Sequence, residues 1–277
     1  MFEIIISLVF SLFFNTVVPE NTEILPTAIY TSSETPILSA KSHVLYDFNS
    51  NSIISSNNPN QKLPIASLTK IMTAHIILKE SKLDEIVTVP LEATQIGGST
   101  MSLGAGERIT VENLLKGLII NSANDAAITL SIHNAETTDQ FVEKMNKYAQ
   151  DIGLQNTSFA NPMGYDSPEN YSTANDLLNL TLIAIKNQKL TEISSIESTI
   201  VRSTDNRFTH TLTNTNKELN NFQQINGLKT GTTNIAGQCL ISTTNEENPR
   251  ISIIIGSNNR FQDTKTMLDW AQKNITY

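Results

Sequence analysis

The feature that most constrains this chain is where its strand-like segments fall. His43–Phe48 (His-Val-Leu-Tyr-Asp-Phe) and Ser52–Ser55 (Ser-Ile-Ile-Ser) are short β-type runs flanking the turn residues Asn49-Ser50-Asn51, and they read as a hairpin. Three more such runs lie near the other end: Gly227–Thr232, Gly237–Thr243 and Arg250–Ser257, the last two joined by Asn245-Glu-Glu-Asn-Pro249. Helix-like periodicity fills the middle, over 65–79, 110–133, 138–154 and 173–186, and an amphipathic helix over 261–275 closes the chain. Strands split this way can pair in one antiparallel sheet with the helices inserted between them. The expected class is α+β: an antiparallel sheet flanked by helices, with an inserted helical subdomain.

The ends narrow this further. Ile4–Val18 is almost continuously apolar and Pro19 stops it. A membrane-spanning helix needs roughly 20 apolar residues. The run fits the core of a secretory signal better, although Glu3 precedes it, no Lys or Arg occurs before Lys41, and no small-x-small cleavage site follows. We expect an export signal or short membrane anchor over 1–18, a linker rich in Pro, Thr, Ser and Glu over 19–42, and one folded domain over 43–277. With the sequence ending at Tyr277, neither a C-terminal anchor nor a second domain is expected.

Composition excludes several functions. Nineteen Lys and Arg stand against 27 Asp and Glu, a formal net charge of −8 without any basic run, which argues against nucleic acid as a partner. One cysteine, Cys239, precludes an intramolecular disulfide and any multi-cysteine zinc site. The four histidines lack metal-binding spacing.

Three short motifs carry the chemistry. Ser67-Leu-Thr-Lys70 is the only S-x-x-K, placed at a helix start after Pro64 and framed by Ile65-Ala66 and Ile71-Met72. Residues three apart share a helix face, so the hydroxyl and the amine can meet. Lysine can deprotonate serine only when neutral, which requires a lowered pKa. The positive end of the helix dipole and a second cation nearby would both lower it. A lone S-x-x-K is more often a solvated pair, but here the flanks are apolar. Ser122-Ala-Asn124 lies in a break between two helical stretches, framed by Gly117–Ile120 and Ala126–Ile128. Helix cap and proton relay are equally good readings of it alone. Lys229-Thr-Gly231, followed by Thr232, is the only K-T-G and sits in a strand-like run. Lys229 and the hydroxyls of Thr230 and Thr232 suit a carboxylate, and Gly231 admits a close approach. The plainer reading is an edge strand with a solubilising lysine.

In this order the three motifs form the signature of penicillin-binding proteins and class A β-lactamases. From about His43 onward the chain resembles the serine D-alanyl-D-alanine carboxypeptidases, the low-molecular-mass penicillin-binding proteins. The likeness includes Leu63–Met72, Asn156–Phe159, Asn161-Pro-Met-Gly164, Tyr171–Ala174 with Asp176-Leu177, Gly227–Thr232 with Ala236-Gly237, and Arg260-Phe-x-Asp263. It implies a β-lactamase/transpeptidase-like fold. Ser67 would be the acylated nucleophile, Lys70 its base and Ser122 the relay to the leaving amine, with Asn124 holding Lys70 and a substrate amide. Lys229, Thr230, Gly231 and Thr232 would form the carboxylate-binding strand, and the backbone N–H groups of Ser67 and Thr232 the oxyanion hole. The substrate would be the peptidoglycan stem peptide and β-lactams would be covalent inhibitors. No metal or organic cofactor is implied, and the location would be extracytoplasmic.

A D,D-endopeptidase would use the same residues. A β-lactamase is less favoured, because Glu169-Asn170-Tyr171 lacks the Leu-Asn that follows the deacylating glutamate. A catalytically silent wall-binding module is disfavoured by the complete motif set, and a histidine-based serine hydrolase by the absence of G-x-S-x-G.

Overall fold

The computed structural model describes residues 26–31, 35–222, 225–245 and 248–277. In chain order the elements are β1 (Ile29–Tyr30), β2 (Ser42–Asp47), β3 (Ser52–Asn57), a 3-10 turn (Ala66–Thr69), α1 (Lys70–Glu80), β4 (Ile86–Thr88), α2 (Leu91–Thr94), β5 (Arg108–Thr110), α3 (Val111–Ile120), α4 (Asn124–Ala135), α5 (Thr138–Asp151), α6 (Ala174–Ala184), α7 (Gln188–Ser194), β6 (Ser198–Arg202), β7 (Thr209–Thr213), β8 (Lys229–Thr233), β9 (Gly237–Thr243), β10 (Arg250–Ser257), α8 (Arg260–Asn274) and β11 (Ile275–Thr276).

The five expected strands form one antiparallel sheet in the order β3-β2-β10-β9-β8. Alternation along the strands builds a core on each face. Val44, Tyr46, Cys239, Ile241, Ile251, Ile253 and Ile255 turn toward α1 and the helical middle. Leu45, Leu240 and Ile254 turn the other way, onto Met267, Leu268 and Ala271 of α8. The helices start where short polar side chains take up free N–H groups: Thr110 accepts from Asn113, Thr137 from Gln140, Thr173 from Asp176 and Asn259 from Gln262.

This is the α+β arrangement expected, with α1 to α7 between the two halves of the sheet. Two further antiparallel strand pairs, β4–β5 and β6–β7, lie in the helical part. The expected linker over 19–42 is corrected in its described part. Ile29 and Tyr30 pair with Thr276 and Ile275, Leu38 and Ala40 pack on the α8 core, and Ser39 bonds the Asp263 carboxylate through N (3.0 Å) and Oγ (2.8 Å). The apolar run over 1–18 lies outside the described residues. Among the described residues no helix is long and apolar enough to cross a membrane.

Candidate active site

β8 is an edge strand, and the 3-10 turn that carries Ser67 packs against it. Two glycines permit that approach. A Cβ on Gly231 would sit 3.0 Å from the Ser67 nitrogen, and one on Gly164, at φ +89°, would sit 2.0 Å from the Ala66 carbonyl oxygen. Ala66 itself takes φ +49° and Ser122 φ +58°, a region that non-glycine residues seldom enter and that clusters at functional sites.

All eight predicted residues meet here. Ser67, Ser122, Asn124, Thr230, Gly231 and Thr232 line one cleft of about 240 Å³, together with Gly98, Ser99, Gly164, Tyr165, Thr215, Thr233 and Arg260. Lys70 and Lys229 lie beneath it, 0% and 1% exposed.

The surroundings of Lys70 define its hydrogens. Its Nζ is 2.7 Å from Asn124 Oδ1, 2.6 Å from the Met163 carbonyl oxygen and 3.0 Å from Ser67 Oγ. The Asn124 amide is oriented because its Nδ2 donates to the Gly97 carbonyl at 2.9 Å. Met163 is oriented because Asn161 Oδ1 accepts from the Gly164 and Tyr165 nitrogens, at 2.7 and 2.9 Å, closing the turn. Both of the shorter contacts are therefore to atoms that only accept. A neutral amine has two N–H groups and one lone pair. The two acceptors hold both N–H groups, and the lone pair is left facing the only partner that can donate, the Ser67 hydroxyl.

Burial is the largest cause holding the Lys70 pKa well below 10.5, and the Lys229 cation is the second; the Asp125 carboxylate opposes them. Burial and the Arg260 guanidinium likewise bring Lys229 down to about 7. Lys229 Nζ donates to the Thr230 carbonyl at 2.8 Å, and Thr230 Oγ1 donates to Thr215 Oγ1 at 2.6 Å. Arg260 Nη1 donates to the Gly231 carbonyl at 2.9 Å and also to Thr232 Oγ1.

Residues 29–259 match the peptidase S11 family, D-alanyl-D-alanine carboxypeptidase. The chain belongs to that family. D-alanyl-D-alanine carboxypeptidase DacF of Bacillus subtilis is 34% identical over 242 residues, covering 84% of this chain. The chain spans 62% of that relative's length. Among solved structures, penicillin-binding protein 6B of Escherichia coli superposes with a TM-score of 0.80 at 32% identity, over 91% of this chain and 83% of that one. The Streptomyces K15 DD-transpeptidase superposes with a TM-score of 0.82 at 26% identity, over 87% and 99%. The fold is thus that of the penicillin-binding D,D-peptidases.

Several groups of this site have no clear mark in the sequence. The Met163 and Gly97 carbonyls are backbone atoms; only the Asn-Pro-x-Gly turn at 161–164 hints at the first. Thr215 has no motif. Arg260 belongs to a segment that resembles the family, but its reach from α8 to β8 emerges only when the strands pair.

Proposed function

We propose that this chain is a serine D,D-carboxypeptidase that removes the terminal D-alanine from peptidoglycan stem peptides through an acyl-enzyme. One observation carries the reading: a buried amine whose N–H groups are engaged by Asn124 and Met163 and whose remaining contact is the Ser67 hydroxyl.

In this reading the substrate carboxylate lies on the Thr230 and Thr232 hydroxyls and Arg260. Lys70 takes the Ser67 proton as Oγ attacks the penultimate carbonyl. The developing oxyanion is held by the N–H groups of Ser67 and Thr232, a type of contact whose loss typically costs about 10²–10³ in rate. The amide C–N bond breaks, Ser122 passes the proton to the leaving D-alanine, and water then hydrolyses the ester. A β-lactam acylates Ser67 by the same route and clears slowly. Such a substrate lies outside the cytoplasm, and the apolar run over 4–18 is the segment that would direct or anchor the chain there.

Fluorescent penicillin is expected to label the full chain and to fail on Ser67→Ala. Muropeptides incubated with the enzyme should lose one alanine. Conversion of cross-linked dimers to monomers without that loss would instead identify an endopeptidase, and persistent labelling of Ser67→Ala would remove Ser67 from its role.

A further inference from the structure

His210 is a buried titratable group that the chemistry above leaves unused. Alternation along β7 turns it inward, onto Glu107 just before β5; the two residues are 5% and 1% exposed. His210 Nε2 lies 2.7 Å from Glu107 Oε1, and Nδ1 lies 2.8 Å from the Met101 carbonyl oxygen. Glu107 Oε2 accepts from the Gly104 nitrogen at 3.0 Å. A carbonyl oxygen only accepts, so Nδ1 carries a hydrogen. Nε2 and the carboxylate oxygen then need a proton between them, since two lone pairs would otherwise face each other in a buried site. Glu107 thus fixes the form of the ring, and the ring presents an N–H to Met101.

Met101 belongs to a segment that walls the cleft through Gly98 and Ser99. Residues 97–103 form neither helix nor strand, so neighbouring elements must hold them in place. On one side the bonds run to the start of α4 and the residues just before it. Asn124 N donates to the Ser99 carbonyl at 2.7 Å and Asn121 Nδ2 to the Thr100 carbonyl at 2.7 Å. The Met101 and Leu103 nitrogens both donate to the Asp125 carboxylate at 3.1 Å. On the other side His210 holds the Met101 carbonyl. The same segment supplies the Gly97 carbonyl that orients the Asn124 amide, and Asn124 Oδ1 in turn holds Lys70 Nζ. A shift of the segment therefore reaches Lys70 through two hydrogen bonds.

We propose that His210, with its tautomer set by Glu107, is a positioning residue for acylation: it clamps segment 97–103 between β7 and α4, so that Gly97 aligns Asn124 and Asn124 aligns Lys70 on Ser67. The inference rests on the serine-peptidase reading above and deepens it.

Two variants of the full chain isolate the clamp. In Glu107→Gln the amide oxygen accepts from Gly104 and the amide N–H donates to Nε2 of a neutral ring, so Nδ1–H stays on Met101. Adding His210→Phe to that variant keeps a ring, leaves no charge buried and removes the Met101 bond. Stopped-flow acylation by penicillin reads the outcome. Glu107→Gln should acylate as wild type does. The double variant should lose up to about 10²-fold in the saturating acylation rate, as small misplacements of reacting groups do. The penicillin concentration giving half of that rate should stay constant, because β8 is untouched. Equal saturating rates in the two variants, even with a lower Tm in the double one, would make His210 structural and overturn the proposal. A second measurement needs no folded double variant: nitrogen-15 NMR at neutral pH should show a hydrogen on His210 Nδ1 in wild type and in Glu107→Gln. A bare Nδ1 in wild type also overturns the clamp, while leaving the peptidase reading standing. A wild-type chain that penicillin does not acylate overturns both.

Discussion

Charge is buried at two places in the same sheet, with opposite outcomes. In the interior of the sheet, Asp47 of β2 and Arg250 of β10 face each other across the strands, with Arg250 Nε 3.4 Å from Asp47 Oδ1. The carboxylate also accepts from Ser50 N and Ser50 Oγ, at 2.8 and 2.9 Å, and from the Tyr277 hydroxyl. At the β8 edge the crowded groups share one sign: Lys70 and Lys229 are fully buried, and among the described residues neither has a carboxylate within ion-pair distance. There each charge faces one of opposite sign, the pairing that a buried charge needs. Here burial first, and a neighbouring like charge second, drive the amines toward neutrality, as the base proposed at Lys70 requires. The same burial that would be a defect in one place is, in the proposed mechanism, the source of reactivity in the other.

The contrast can be broken from either side. The largest effect is expected for Lys70→Met, which removes the proposed base; acylation by penicillin should fall by up to about 10⁴-fold in stopped-flow traces. Next is Lys229→Met. A pKa lowered from 10.5 to about 7 corresponds to roughly 5 kcal/mol. Between these pH values the unfolded chain holds a proton that the folded chain has released, so wild-type stability rises with pH across that window and carries the full penalty below it. The Tm of Lys229→Met relative to wild type should therefore increase as pH falls from about 10 to 7 and level off below. A difference independent of pH would mean that Lys229 stays charged. Asp47→Asn should do the reverse of a catalytic lesion. It leaves Arg250 buried without its counter-charge, at a cost of about 3–5 kcal/mol in urea unfolding, while kcat/KM per folded molecule holds.

The elements that the sequence made legible are those with strong local signals. The isoleucines of 251, 253 and 255 announce a central strand, and the apolar flanks of Ser67 and Lys70 announce a buried lysine. What stayed hidden depends on distant pairing. β4 and β5 are three residues each, too short for periodicity to register, and in β6 and β7 only Val201, His210 and Leu212 are buried, so the apolar count is low. β1 and β11 form because the two ends of the domain meet. At the site, the sequence around Ser122 fits a cap and a relay equally well; in the structure the Ncap is Ala123, Asn124 opens α4, and Ser122 stands in the cleft. Helix polarity and a second cation were legible reasons for an acidic Lys70, whereas the dominant one, complete desolvation, required the packed core.

The smallest effect expected is also the one that separates two roles of a single residue. Arg260 donates to Gly231 and Thr232, where a substrate carboxylate is proposed to lie, and its charge helps lower the Lys229 pKa. Arg260→Gln should raise KM for a D-Ala-D-Ala peptide about tenfold with little change in kcat, since an anchor held equally in ground and transition states contributes uniform binding. Its second consequence has a fixed sign. With one neighbouring cation gone, Lys229 keeps its proton to higher pH, so the alkaline limb of the kcat/KM profile should move upward from near 7. A raised KM with an unmoved limb would leave Arg260 as an anchor and take Lys229 out of that limb; a moved limb without a change in KM would leave only the electrostatic role.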